Sequence, residues 1–377
     1  MVKRYWWPGF LWVLFLPVLG ETHDPSAAAL IRQLDLDESA SPASAHARWS
    51  TPKKIVVSLP GRLAALPEVE SRFRDVAGNA ELIFIRTGWG QPLDKSLVGD
   101  ADAVIGFCHP DTLSRAKQLV WLHSFSVGVD RCLAVPDAVA DRLLVTNNQR
   151  LSGPNIAEHV MAMMLSLGRG LPLAHDAQAR EQWQRGIVDQ APIREFSGRT
   201  LLVAGLGGIG TEVARRAHGL GMRVLATRHS GRYGPDFVDY VGLSHELKKL
   251  AAEADVVVNA LPLTDETIGL FDADFFEAVK QGAFFISVGR GRSTVTDDLV
   301  AALAAGRLGG AGLDVTDPEP LPSGHPLWGL DNVIITPHIA GYSPRHTERQ
   351  VTVAVENLRR YVAGEPLLSP VDLKAGY

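Results

Sequence analysis

The chain has 377 residues, 46% of them apolar and 21% charged, with a formal net charge of −5. That length allows two domains with a sizeable core, and the composition is that of a soluble globular protein. The charges form no long runs, which argues against a nucleic-acid surface as the main partner. The two cysteines, Cys108 and Cys132, form no framework and no C-x-x-C pair. They read as small buried apolar residues, and no metal site is expected.

At the N-terminus, Lys3 and Arg4 precede an apolar run from Tyr5 to Leu19, followed by Gly20. A basic start, a short apolar core and a small residue make residues 1–20 resemble a secretory signal peptide. The alternative is an upstream start-site artefact ahead of a cytoplasmic-type body. The run is short for a membrane span and is interrupted by Pro8 and Pro17, so membrane contact is expected only if residues 5–19 are retained. Residues 21–52 are rich in Ala, Ser and Pro and read as a disordered linker outside the fold.

From Lys53 onward, short apolar runs alternate with helical stretches. KIVVSL, ELIFIR (81–86), DAVIGF (102–107), LVWLHS (119–124) and RLLVTN (142–147) read as strands that are apolar on both faces, as buried parallel strands must be. A long apolar helix follows, GPNIAEHVMAMMLSLGRGLPLAH, with Pro154 suited to its first turn and Glu158 near its positive start. Its apolar residues occupy more than one stripe, so it should be buried between domains or subunits. A second series follows: TLLVAGL (200–206), RVLATR (223–228), DVVVNAL (255–261), GAFFISVG (282–289), GGAGLDV (309–315) and NVIITPH (332–338). A last helix covers 343–364 and stops at Gly364 before Pro366. The alternation predicts an α/β fold with two parallel sheets.

The segment LLVAGLGGIGTEVARRAHGLG places Gly205, Gly207 and Gly210 at G-x-G-x-x-G spacing between an apolar strand and an amphipathic helix. Gly205 permits the tight turn, Gly207 lets the backbone approach a pyrophosphate, and Gly210 lets the helix pack on its strand. The helix start, at Gly208 and Ile209, offers amides and positive dipole to phosphates. About 20 residues on, at the end of the next strand, stands Arg228 rather than the carboxylate that would bind a ribose 2′-hydroxyl. A guanidinium there can pair with a 2′-phosphate, with His229 and Ser230 as further donors. The cofactor expected is NADP, with NAD as the alternative.

These stretches, with HSFSVGVDRC, LPLTDETIGLFDADFFEAVKQGAFFISVGRGRSTVTDDLVAAL and AGLDVTDPEPLPSGHPLWGLDNVIITPHIAG, resemble the D-isomer-specific 2-hydroxyacid dehydrogenases over most of the chain after Lys53. Within that family the chain is similar to the NADP-preferring glyoxylate and hydroxypyruvate reductases. The resemblance implies two doubly wound parallel-sheet domains, of Rossmann or flavodoxin-like type, with a cleft between them. The substrate-binding domain would be residues 53–150 completed by 338–377, the dinucleotide-binding domain 151–337, and the assembly a homodimer. Leu261, Pro262, Val288, Gly289 and Asp314 would line the cofactor, Asp314 being better suited to capping or bracing its strand end.

Reduction of a 2-keto acid needs a hydride at C2, a proton for the carbonyl oxygen and a seat for the carboxylate. By the resemblance, the catalytic residues are Arg290 rather than Arg292, Glu319 and His338. Arg290 would hold the carboxylate or polarise the carbonyl. His338 would exchange the proton, with Glu319 favouring its charged form. Backbone amides of Val127 and Gly128 would form an anion-binding nest for the substrate, beside Arg290. The chain departs from the family at Ser287, where Asn is frequent, which bears on local geometry and not on the chemistry. Two other readings share these motifs: a dinucleotide-sensing corepressor-like protein and a short phosphoglycerate dehydrogenase. The expectation that neither an interaction tail nor a regulatory domain follows the last helix favours the reductase.

Overall fold

A computed structural model describes residues 27–88, 91–133, 135–190 and 193–373. The expected leader, residues 1–20, lies outside the described residues. The first sheet contains β1 (Lys54–Ser58), β2 (Glu81–Ile85), β3 (Ala103–Gly106), β4 (Trp121–Ser124) and β5 (Leu144–Thr146), in the order β2-β1-β3-β4-β5. The second contains β6 (Thr200–Ala204), β7 (Arg223–Thr227), β8 (Tyr240–Gly242), β9 (Val256–Asn259), β10 (Ala283–Ser287), β11 (Leu308–Leu313) and β12 (Val333–Ile335), in the order β12-β11-β10-β9-β6-β7-β8. All neighbouring strands within each sheet are parallel. The central strands β6, β9 and β10 are buried throughout, as apolar runs covered by helices on both faces require.

The last helix, Pro344–Ala363, packs on the helix Val69–Val76 beside the first sheet. Its Val351, Ala354, Leu358 and Tyr361 join one core with Ile55, Val57, Phe73 and Trp121. The Trp121 and Tyr361 rings stack with centroids 4.8 Å apart. The helix ends at Gly364, which takes up a φ of +72°.

Three expectations need correction, and one strand, β8, adds to them. From residue 27 onward the presumed linker is built into the fold: Ala27–Leu34 is a helix whose Leu30 and Leu34 are buried with Leu151, Val353 and Leu368. Amides of Ser39, Ala43 and Ser44 bond the carbonyls of Leu367, Glu365 and Gly364. The few apolar residues of this segment suffice because they complete a core supplied mainly by others. The long apolar helix breaks in two, Gly153–Gly168 and Leu171–Ala179, at Gly170 with φ +63°. Pro172 opens the second piece, where its missing amide proton costs nothing. β8 escapes notice because its Tyr-Val-Gly forms no apolar run, Tyr240 being exposed. Finally, Cys108 and Cys132 form a disulfide, with Cα atoms 5.2 Å apart. The exits of adjacent strands β3 and β4 bring them together, which no local spacing motif announces.

The helix Gly153–Gly168 buries Ile156, Val160, Met163, Met164 and Leu167 against the second sheet and the helix Gly208–Gly219. Among the described residues no helix is long and apolar enough to cross a membrane.

Candidate active site

The sheet order lays the candidate residues along one edge. Arg228 follows β7, Gly205–Gly210 follow β6, Leu261 and Pro262 follow β9, Arg290 follows β10, Asp314 and Glu319 follow β11, and His338 follows β12. Every one of these strands presents its carboxyl end there, and between β6 and β9 the order reverses, which is where open α/β sheets bind ligands.

The glycine turn fits a dinucleotide phosphate. Gly205 has φ +96°. A Cβ on Gly210 would sit 2.1 Å from the Gly205 carbonyl oxygen, so only glycine lets the helix Gly208–Gly219 approach β6 this closely. A Cβ on Gly207 would meet nothing within 4 Å, leaving open space before the helix start. The amides of Gly208, Ile209 and Gly210 have no helical acceptor and are available to an anion.

At the end of β7, Arg228 donates from Nε to Ser230 Oγ (3.0 Å), and its guanidinium lies over the Tyr233 ring, 4.1 Å from the centroid. Among the described residues it pairs with no carboxylate. Arg232 differs: it meets Glu246 at 2.6 Å and donates to the Tyr240 hydroxyl. The Glu246 carboxyl is pulled down to about 2, first by the Leu243 amide, against the cost of desolvation, then by Tyr240 and Arg232. Arg228 is therefore the uncompensated cation at this end of the groove. His229 faces Glu266 at 3.7 Å.

At the other end the side chains are heavily braced. Asp314, 4% exposed, accepts from Thr336 Oγ1 (2.6 Å), the Ile339 amide (2.9 Å) and the Ala340 amide (3.0 Å). Its own carbonyl accepts the His338 amide at 2.9 Å. Both carboxylate oxygens are thus engaged by the chain, and Asp314 braces the His338 turn. His338 needs that support: its φ of +55° is one that side-chain-bearing residues adopt at a cost of about 1–2 kcal/mol. His338 Nδ1 lies 2.6 Å from Glu319 Oε1, which leaves Nε2 as the nitrogen able to exchange a proton with substrate.

Arg290 caps the short turn Gly291–Ser293 and donates to its neighbour's carbonyl, Gly289 O, at 2.9 Å. A Cβ on Gly291 would lie 1.8 Å from the Thr316 carbonyl oxygen. The loop that carries Glu319 therefore runs directly against the turn that carries Arg290, and glycine is what permits it. Val288 and Gly289 are buried between these elements, and a Cβ on Gly289 would stand 2.7 Å from the Leu261 carbonyl oxygen. Pro262 O accepts from Thr267 Oγ1, closing the loop after β9.

In the first domain, the Val127 and Gly128 amides find no acceptor among the described residues. Their turn is fixed through its other atoms: Asn147 donates to Val127 O at 2.7 Å, and Asn148 and Gln350 donate to Phe125 O. Gln350 lies on the helix that follows His338, and Asn155 donates to Ala340 O at 3.0 Å. The turn after β4 and the histidine segment are both tied to residues 147–155.

The family model for the NAD-binding domain of D-isomer-specific 2-hydroxyacid dehydrogenases matches residues 161–340. The human glyoxylate reductase/hydroxypyruvate reductase is 34% identical over 253 residues, 67% of this chain and 76% of that one. The chain belongs to the D-isomer-specific 2-hydroxyacid dehydrogenase family. A solved structure of a family member from Aeromonas salmonicida superposes with a TM-score of 0.70 at 34% identity, covering 86% of this chain and all of that one. An NADPH-dependent glyoxylate/hydroxypyruvate reductase from Sinorhizobium meliloti, solved with NADP and sulfate, gives 0.71 at 26% identity, with 86% and 100% coverage. As a 2-hydroxyacid dehydrogenase, the protein is an NAD(P)-dependent oxidoreductase acting between 2-keto acids and D-2-hydroxy acids.

Three polar residues of this dehydrogenase were not singled out from sequence. Tyr233 supports Arg228. His159 shares Thr336 Oγ1 with Asp314, at 2.9 Å from its Nε2. Asn259, wholly buried at the end of β9, bonds three segments of the site. A polar residue interrupting the apolar run VVVNAL is the one signal that could have pointed to it.

Proposed function

We propose that the protein reduces a small 2-keto acid, glyoxylate or hydroxypyruvate, to the D-2-hydroxy acid with NADPH. When bound, the reduced nicotinamide supplies the hydride to C2. The Val127 and Gly128 amides seat the substrate carboxylate, and Arg290 holds the substrate and draws charge onto its carbonyl oxygen. His338 delivers a proton from Nε2 to that oxygen, and Glu319 on Nδ1 fixes the ring and stabilises its charged form. The observation that carries the reading is the Glu319–His338 contact of 2.6 Å beside the Arg290 turn. Gly205 to Gly210 would hold the pyrophosphate, and Leu261, Pro262, Val288 and Gly289 would line the nicotinamide end.

The uncompensated Arg228, oriented by Ser230 and Tyr233, supports NADPH over NADH, and the Sinorhizobium reductase described above was solved with NADP. The test is a panel of 2-keto acids against both reduced cofactors. Glyoxylate and hydroxypyruvate should lead with NADPH, and Arg228→Asp should move the kcat/KM ratio toward NADH by at least about tenfold. An unchanged ratio removes the argument from Arg228.

Trp183, 92% exposed, and the exposed Leu171 and Val188 follow the helix Gly153–Gly168 and supply an apolar surface for a homodimer. Trp183→Glu should then yield monomers in sedimentation. The disulfide suits an oxidising compartment, in line with the leader reading of residues 1–20, and the mass of the mature N-terminus decides between that and an upstream start.

A further inference from the structure

We propose that Asn259 is a positioning residue for the reduction, holding the Arg290 turn and the Leu261 loop in mutual register; the proposal rests on the role given to Arg290 above. A buried amide in a sheet is costly unless each polar group finds a partner. Asn259 is 0% exposed, and its partners are specific. Its Oδ1 accepts the Leu261 amide at 3.1 Å. Its Nδ2 donates to Ser287 Oγ at 3.1 Å and to Ser293 Oγ at 2.8 Å. Ser293 Oγ in turn donates to the Arg290 carbonyl at 2.6 Å.

The direction of every bond in this relay is determined. A backbone amide can only donate, so Oδ1 must face Leu261 and the NH2 group must face the two serines. A flipped side chain would set two donors against each other at Leu261. The Ser293 proton is then committed to Arg290 O, while its oxygen accepts from Asn259. The network joins the exit of β9 to the exit of β10 and stops at the backbone of Arg290.

Packing leaves the network no slack. Asn259 and Ser287 are direct partners in the β9–β10 register. A Cβ on Gly289 would fall 3.0 Å from Asn259 Oδ1, so the chain just before Arg290 passes against the same amide. The small Ser287 beside it on β10 leaves room for the Asn259 amide and accepts one of its protons. Asn259 touches neither carboxylate seat nor proton path, and it acts by fixing where Arg290 begins.

The experiment compares the wild type with Asn259→Leu, Ser293→Ala and the exchange variant Asn259→Ser/Ser287→Asn. The readouts are glyoxylate kinetics, NADPH Kd by protein fluorescence, thermal unfolding, and calorimetric affinity for oxalate in the presence of NADP. Asn259→Leu should lose at least tenfold in kcat/KM and in oxalate affinity, with NADPH Kd changed less than threefold. Ser293→Ala, which removes the Oγ bonds to Asn259 and to Arg290 O and leaves the Ser293 amide bond to Arg290 O, should reproduce part of that loss even if Asn259→Leu folds poorly. The exchange variant should recover most of it. Folded Asn259→Leu or Ser293→Ala with wild-type kinetics and oxalate affinity overturns the proposal, as does an exchange variant no better than Asn259→Leu. If the wild type turns over no 2-keto acid, the reductase reading fails separately, and oxalate affinity alone decides the role of Asn259.

Discussion

After β4 the proposed substrate seat is plain backbone, the Val127 and Gly128 amides, and the side chains of Asn147, Asn148 and Gln350 brace the turn through its carbonyls. After β9 to β12 it uses side chains, and nearly every functional one is held by a second. Glu319 holds His338, Asp314 holds the turn beneath it, and Ser293 and Asn259 hold the start of Arg290. The contrast follows from the tasks. A carboxylate needs only donors in the right place, which a rigid turn provides. A proton donor must also present one chosen nitrogen in one charge state, which requires neighbours of its own.

This division can be broken by measurement. His338→Ala should give the largest effect, a fall in kcat of about 10²–10⁴ with NADPH Kd retained. A variant that still turns over near the wild-type rate would remove the proton-donor role. Arg290→Ala should cost about 10²–10³ in kcat/KM. Gly128→Pro deletes one amide of the backbone seat and should act mainly on KM, raising it about tenfold or more with kcat within a few-fold. If kcat collapses instead while thermal unfolding and NADPH binding stay normal, the turn takes part in chemistry and the contrast is wrong.

The smallest effect concerns stability. His123 is fully buried on β4, with Nδ1 2.9 Å from Thr146 Oγ1, and burial pushes it down to about 3. Its folded value lies below the unfolded value near 6.5, so its contribution is complete above pH 6.5. That contribution declines as pH falls from 6.5 toward 3, by up to about 1.4 kcal/mol per pH unit. His346, held down to about 4 mainly by burial, acts in the same direction. His123→Gln should flatten the acid side of the Tm-versus-pH curve, and an unchanged slope would assign the loss elsewhere.

Much of the sheet architecture was legible because parallel strands buried on both faces leave unmistakable apolar runs, as in TLLVAGL and GAFFISVG. β8 was not, since Tyr240–Gly242 is a short edge with an exposed tyrosine. The helix break was hidden inside an apolar run, because Gly170 could equally sit within a buried helix. Arg290, Glu319 and His338 were found through motif resemblance, and their arrangement shows why the motifs contain Gly291 and Asp314. The disulfide and Asn259 were missed for a common reason. Each derives its meaning from a neighbouring strand, and sequence distance conceals which strands are neighbours.

The last helix supplies Val351, Ala354, Leu358 and Tyr361 to the core of the first sheet, and Leu368 closes over Leu30. A ribosome therefore releases β1 to β5 long before that core can be finished. The second sheet, local in sequence from β6 to β12, can collapse while the first still waits for its closing segment. During synthesis the first sheet is the exposed half, and it is there that chaperones would be needed.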